Sequence, residues 1–452
     1  MKKNGLSESA KSAVVYTFAT LFSRGLAIIT VPIFTRMMTT AQIGTVNLYN
    51  SWYSLISAFA TLSLTSGGFA VAMKEYASDR DKYQSSVLSL TSIIALIIVT
   101  IFLFAPARDF WLARQRYEYK YKLAGIVTIG SALIASILSV VAVLYSNEYG
   151  TIDAADARLI ANYAVVYGVA AIIWISTLVK GKTFFNIEYW KMSLALSIPL
   201  VGYSIAAQIL SVSDRMMISQ MVGNSAVGVY GTLYTASSLS LMIWQAIHSS
   251  FVPFLFQNIE KKEQNIKNVS FVLMLLYALV AVMLTYMAPE IVRVLATEEY
   301  MEAIYIMPPI AAGVFFTAYA NIYSDIAVYF KKTKYVMYPA IVAAAANLVL
   351  NYIFIKMFGY MAAAYTTLIA YILLAYLQAV WANKVCKENG IGKEKIFSDQ
   401  KMLVMAIVTV VLCLLGIALY HFTVLRYIVV LGVIVFSLVL AKKYNIKQMM
   451  MK

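Results

Sequence analysis

Residues 402–420 read MLVMAIVTVVLCLLGIALY, 19 positions from Met402 to Tyr420 with no charged side chain. As an α-helix such a run is about 28 Å long, close to the roughly 30 Å of a bilayer's hydrocarbon core. A second uncharged run goes from Ser92 to Ala105. The rest of the 452-residue chain agrees: 62% of residues are hydrophobic, 13% are charged, and mean hydropathy is +0.76. A soluble domain carries about 25% charged residues. A soluble enzyme, a disordered chain and a collagen-like fibre are excluded. Porin strands alternate over short segments, whereas these runs are long and unbroken. The sequence is that of an all-α polytopic membrane protein.

Thirteen spans are visible, near residues 12–36, 43–72, 84–106, 123–146, 158–180, 192–221, 226–257, 268–297, 303–330, 335–355, 359–382, 402–420 and 423–441. The first is too long for a signal-peptide core and is read as retained. Pro32, Pro199, Pro253 and Pro339 fall inside spans, where kinks are tolerated. Two cysteines, Cys386 and Cys413, make no disulfide framework, and two histidines, His248 and His421, build no His-rich metal site. No P-loop, GxSxG or HExxH occurs, and Asp79-Arg80-Asp81 is read as a solvated loop. No enzyme activity, cofactor or metal is expected.

The formal net charge is +15. In a membrane protein this points to cytoplasmic loops rather than to nucleic acid. Of the 36 Lys and Arg residues, 28 fall in alternate loops, including Lys74, Arg80 and Lys82; Arg114, Arg116, Lys120 and Lys122; and Lys331, Lys332 and Lys334. This skew places both termini in the cytoplasm, which demands an even number of crossings. The conflict with thirteen lies between the basic loop 74–82 and the basic run 114–122, which only one visible span separates. Either a crossing is missing, or span 84–106 does not cross fully, or the basic run faces outside.

The chain also repeats weakly. Arg36-Met37-Met38 and Arg215-Met216-Met217 correspond, as do the stretches around Gly44 and Gly228, at an interval of about 180–185 residues. Repeats of like orientation need an even number of spans each, and the first half shows five. The organisation read from this is an N-terminal lobe, 1–191, lacking one helix near 106–112; a C-terminal lobe, 192–390; and two additional helices in 391–452.

Charges inside spans cost about 2.5–3.5 kcal/mol each on insertion scales, so each is a functional candidate. Arg24 sits midway along the first span and is read as lining a polar cavity, with a buried structural pairing as the alternative. Asp214 and Arg215 are adjacent on a helix and should contact different partners. Asp325 suits an ion-coupling site or a pairing with Lys331 and Lys332. Glu290 and Arg293, three apart, read as a local ion pair. None of the five visible first-half spans contains Asp or Glu. This disfavours cation-coupled drug export, whereas arginine pairs with phosphate through its planar fork. Some of the 33 tyrosines inside spans suit stacking on sugars.

Several weak motifs follow one another along the chain: Pro32-Ile33-Phe34-Thr35-Arg36 before Gly44, the run 114–122, Ser213-Asp214-Arg215 before Gly228-Val229-Tyr230, Pro289-Glu290-Ile291, Lys331-Lys332-Thr333-Lys334, Asn347 to Ile355, and Gly359-Tyr360 with Thr366-Thr367. Their order and spacing resemble the polysaccharide transporters, the oligosaccharidyl-lipid flippases of the MOP exporter superfamily. The resemblance implies two pseudo-symmetric helical lobes plus two C-terminal helices, with 14 spans where 13 are visible. It implies alternating access that moves undecaprenyl-pyrophosphate-linked oligosaccharide across a bacterial cytoplasmic membrane, for O-antigen, other lipopolysaccharide, capsule or exopolysaccharide synthesis. Membrane lipids, a glycan polymerase and other assembly proteins are the implied partners. Arg24, and less directly Arg215 with Asp214, would bind the lipid phosphate. Two alternatives stand beside it: an ion-coupled drug or small-molecule antiporter of the same superfamily, and a membrane glycan polymerase, which would need a large external loop that this chain lacks.

Overall fold

The computed structural model describes residues 8–65, 67–98, 103–259, 263–390 and 396–443. Lys2, Lys3, Lys261, Lys262, Lys393, Lys395, Lys447 and Lys452 of the basic loops lie outside them. The described residues form helices and short connections. The chain divides into two compact units, Met1–Val212 and Ser213–Lys452.

The first unit holds α1 (Glu8–Met37), α2 (Thr40–Thr61), α3 (Gly67–Glu75), α4 (Arg80–Ile98), α5 (Ala105–Tyr117), α6 (Tyr121–Tyr149), α7 (Ala154–Gly181) and most of α8 (Ile187–Met221). The second holds the end of α8, α9 (Asn224–Ser237), α10 (Ser240–Asn258), α11 (Glu263–Tyr286), α12 (Ala288–Leu295), a 3-10 segment (Glu298–Ile306), α13 (Met307–Tyr329), α14 (Lys334–Phe358), α15 (Ala362–Glu388), α16 (Asp399–Ala418) and α17 (Thr423–Lys443). Among the described residues, ten helical stretches are long and apolar enough to cross a membrane. The expected span 43–72 breaks at Leu62 and Ser63, both at positive φ, and 226–257 breaks between α9 and α10.

Lipid explains the exposed faces. On α6, Ile126, Ile134, Ile137, Val141 and Leu144 are exposed, while Ala124, Gly125, Ser131, Ala135 and Ser139 are buried. Small residues on the buried face let α6 approach α1 and α7 closely. A Cβ on Gly125 would come within 2.9 Å of Val15. In the second unit α13 is buried almost throughout, among α11, α15 and α16.

Glu290 does not pair with Arg293, which is exposed. Its carboxylate takes both arms of the Arg426 guanidinium, at 2.7 and 2.8 Å, and the Tyr427 hydroxyl at 3.0 Å. Arg426, on α17, is 1% exposed. An exposed pair three apart on a helix is worth a few tenths of a kcal/mol. A buried guanidinium without a carboxylate costs several, so Arg426 claims Glu290.

The parity conflict resolves in the first unit. Residues 105–117, where no span is visible, form α5. Its C-terminal end returns to the start of α4: Arg114 bonds Asp81 at 2.5 Å and Gln84 at 3.0 Å. Ala105, at its other end, packs against Ala60 and Ala95. Phe104 meets the edge of Trp174, whose indole donates to Ser92. The α4–α5 hairpin therefore brings the run 114–122 back to the side it left at 74–82. With 13 residues α5 is about 20 Å long, short of a full crossing.

The helix ends measure the deficit. The intervals from the end of α1 to the end of α8 (37 to 221) and from the start of α2 to the start of α9 (40 to 224) are both 184 residues. Gly44 and Gly228 keep that interval, whereas Arg36 and Arg215 are 179 apart and so lie out of register. By α7 and α15 (154 to 362) the interval is 208, a gain of about one span. The fourth helix is present but shortened: α5 stands where the second half has the 23-residue α13. A cysteine introduced by Ser78→Cys and another by Tyr119→Cys should react with a membrane-impermeant maleimide from the same side, since both positions are exposed and both native cysteines are buried. Labelling from opposite sides would refute the hairpin.

Candidate functional site

Arg24 lies two-thirds of the way from Glu8 to the Pro32 turn of α1 and is exposed. No hydrogen bond or ion pair is found for it among the described residues. It shares a face with Thr17, Leu21 and Ala27, all exposed. Ala27, one turn on, lines a cavity of about 150 Å³ whose polar groups include Thr30, Asn50, Ser139, Arg158 and Asn162. The Arg158 guanidinium stacks 3.6 Å over the Phe34 ring. Beside this cavity stand four half-buried tyrosines in two pairs spaced four apart, Tyr49 and Tyr53 on α2, Tyr163 and Tyr167 on α7. Tyr49 and Tyr53 lie 4.9 and 5.1 Å from Tyr163, and the Tyr163 hydroxyl donates to Asn50 Oδ1 at 2.9 Å. The spacing is readable in the sequence, but the pairing of α2 with α7 is not.

Asp214 and Arg215 do not go to separate partners. Asp214 is fully buried and Arg215 is 9% exposed. Arg215 Nη1 is 3.3 Å from Asp214 Oδ1, and the Tyr230 hydroxyl donates to Asp214 Oδ2 at 2.6 Å. The guanidinium also lies 4.1 Å from the Tyr234 ring centre, and the Tyr234 hydroxyl meets that of Tyr371 at 3.3 Å. Adjacent helical side chains diverge, but a long arginine folds back when burial leaves it no water. Next to this pair, Ser213, Asn347, Asn351, Thr366 and Thr367 form a buried amide and hydroxyl network across α8, α14 and α15. Asp214 and Arg215 are thus enclosed in the structure of the second unit, whereas Arg24 is accessible on the first.

Asp325 does not pair with the lysines. Lys332 lies 3.9 Å from Glu388 instead. Asp325 Oδ2 meets His248 Nε2 at 2.8 Å, joining α13 to α10, and the His248 ring packs on Trp244 at 5.4 Å. Both members are partly reachable, with side-chain exposures of 25% for His248 and 10% for Asp325. Sequence reasoning weighed His248 only as a metal ligand; 77 residues separate the partners, and no local pattern announces them. Among the described residues, no group of three or more His, Cys, Asp or Glu is placed to hold a metal.

The α5 helix adds one acid that a count over visible spans omits: Asp109, exposed next to Arg108 and close to Tyr53 and Arg116. The closed pair in the second unit makes a test of its own. Asp214→Ala takes the carboxylate from a buried guanidinium and should destabilise the detergent-solubilised protein by about 3–5 kcal/mol. Replacing both members by Leu and Met should cost markedly less, which a double-mutant cycle on thermal unfolding would read.

The polysaccharide biosynthesis protein family matches residues 9–145, and the MatE family matches residues 199–353. No curated protein sequence matches the chain. Solved structures do. The chain is similar to the lipid II flippase MurJ in an inward closed conformation, with a TM-score of 0.62 and 18% identity over 95% of this chain and 99% of that one. It is also similar to an inward-facing multidrug resistance MATE family transporter of the MOP superfamily, with a TM-score of 0.54 and 14% identity over 82% of this chain and 95% of that one. Such identities speak for the fold alone. The first stretch of the chain and the second thus each match a family model, and the chain shares its fold with a multi-span flippase and a multi-span transporter.

Proposed function

We propose that the chain is a flippase for undecaprenyl-pyrophosphate-linked oligosaccharide repeat units, acting in a bacterial cytoplasmic membrane with both termini in the cytoplasm. Its product would feed a surface polysaccharide of the O-antigen, capsule or exopolysaccharide kind, through a polymerase and its assembly partners. The observation that carries this reading is Arg24: a cation midway along a span, exposed, and without a partner among the described residues. An uncompensated guanidinium in a membrane helix is costly unless water or an anion meets it. A pyrophosphate supplies two acceptor groups for its planar fork. The N-terminal match to polysaccharide biosynthesis covers α1. The tyrosine quartet of α2 and α7 offers aromatic faces of the sort that stack on sugar rings. Asp214 and Arg215 hold the second lobe's architecture and reach substrate only if alternating access opens their cluster. Asp325, with His248, is the ion-coupling site in this reading.

One observation favours a second reading. Asp109 gives the first unit an exposed carboxylate beside a tyrosine, the kind of group an ion-coupled drug antiporter needs. In a host lacking the gene, complete single repeat units should accumulate on lipid carrier in the cytoplasmic leaflet, and the wild-type chain should clear them. Arg24→Ala at equal membrane abundance should fail to do so, with Arg24→Lys partly active. Altered drug sensitivity without any change in lipid-linked glycan would favour the antiporter, and units piling up on the outer leaflet a polymerase. In proteoliposomes, Asp325→Asn and His248→Gln should each leave downhill movement intact and abolish the response to an imposed ion gradient. Retention of that response by both variants would remove the pair from coupling.

A further inference from the structure

The end of the α4–α5 hairpin encloses a polar cavity of about 260 Å³ between the first turns of α4, the last turns of α5 and α7, and the start of α6. Its acids are already engaged. Glu118 accepts from Arg114 at 2.9 Å and Lys120 at 2.6 Å, with Arg80 at 3.8 Å; Asp81 takes the same Arg114. Burial raises the Glu118 carboxyl, but the bonds from Lys120 and Arg114 outweigh it and hold the group below its ordinary value. What remains open in the cavity is donor capacity.

Gln84 is the sharpest case. It is 1% exposed, and its Oε1 accepts from Arg114 Nη1 at 3.0 Å, which fixes the orientation of the amide. Its Nε2 is buried without a partner. A buried donor left unpaired costs about 1–3 kcal/mol, and Gln84 lines the cavity. Lys180 lines it too, exposed and with no ion pair among the described residues. The close approach of α7 to α4 at Gly181 puts this lysine there. A Cβ at that glycine would stand 2.2 Å from the Asp81 carbonyl oxygen. On the rim, Trp111 and the exposed Leu123 supply apolar surface.

We propose that this cavity binds a phosphate-bearing group, drawn either from the headgroup of an anionic lipid or from free phosphate. The chemistry is that of an exposed ammonium on a polar cavity whose acids are engaged, beside a buried amide nitrogen that lacks a partner. An incoming anion would satisfy Gln84 Nε2 and meet Lys180, and a diacyl lipid would leave its chains against Leu123 and Trp111. The volume exceeds the roughly 30 Å³ share of one water several-fold. This site is separate from Arg24 and does not rest on the flippase reading.

The test uses the full chain in detergent. Native mass spectrometry and thermal unfolding would be recorded with phosphatidylglycerol, with diacylglycerol as the phosphate-free lipid, and with inorganic phosphate against chloride at matched ionic strength. Gln84→Glu keeps the oxygen that Arg114 needs and puts a charged oxygen where the free amide stood. Lys180→Gln removes the exposed cation and leaves the packing alone. The wild type should be stabilised by phosphatidylglycerol or phosphate and not by diacylglycerol, with each variant binding at least about tenfold more weakly, the effect of one lost hydrogen bond to a charged group. A response to the lipid alone assigns a headgroup site, and a response to phosphate alone a soluble one. No response in the wild type, or equal responses in wild type and Lys180→Gln, overturns the proposal. Lys180→Gln decides the matter where Gln84→Glu does not fold.

Discussion

Hydrocarbon offers an ionised side chain nothing to bond with, so every charge carried into a span must be closed by the protein or opened to water. The second unit shows the first solution three times. Asp214 closes Arg215 with help from Tyr230. Glu290 closes Arg426 with both carboxylate oxygens. Asp325 closes on His248. Each pair joins helices or a helix to itself, so the charges that cost most on insertion also set which helices meet. Arg24 stands outside this scheme. Nothing among the described residues of its own unit closes it, and the proposed ligand role rests on this contrast more than on its position alone.

The three closed pairs differ in what they allow. The Arg426 fork is bidentate and 1% exposed, an arrangement that fixes α17 to α12 and resists change. The Asp214–Arg215 pair is roofed by tyrosine hydroxyls and an arginine–ring contact, each weaker than an ion pair and each able to be exchanged for another donor. His248 and Asp325 are the most reachable of the three pairs. Under the proposed alternating access, the polar groups of the second and third kind are the ones free to exchange partners; they lie on α8, α10 and α13, and the rigid fork on α12 and α17.

Much of this architecture was legible before any coordinates. Uninterrupted apolar runs such as 402–420 specify helices by themselves, because a bilayer leaves the backbone no other way to satisfy its own polar groups. The alternation of Lys and Arg loops localised the odd crossing to residues 84–122, and the hairpin lies there. The Gly44 and Gly228 correspondence keeps the interval set by the helix ends; the Arg36 and Arg215 correspondence does not, since two residue types recurring in an apolar chain carry little register. Pairings were the illegible part. Glu290 with Arg426 spans 136 residues and Asp325 with His248 spans 77, and at such separations only the fold decides who meets whom. Local rules of helical spacing put Glu290 with Arg293 and pulled Asp214 and Arg215 apart. Both fail for the same reason: they describe charges in water, where a weak neighbour is good enough.

The short α5 shows how a helical lobe accommodates a shortened helix, 13 residues where the second half has 23. A full-length fourth helix would bury its sides over the whole bilayer; α5 lies along α4 from Asp81 and Gln84 to Ala95, and it carries Arg108, Asp109, Arg114 and Arg116, charges that a full crossing would not accept. Four aromatic and apolar side chains, Phe69, Tyr83, Ala107 and Phe110, seal it against α3 and α4, and the Arg114 bonds to Asp81, Gln84 and Glu118 pin its end. The helix thus brings ionisable groups into a lobe whose other visible spans carry no acids. The exposed Asp109 lies on α5, and the polar cavity is lined by its last turns. These two polar features on the lobe that also carries Arg24 are a reason to look for this protein's particular chemistry on α5, the element where its two halves differ most.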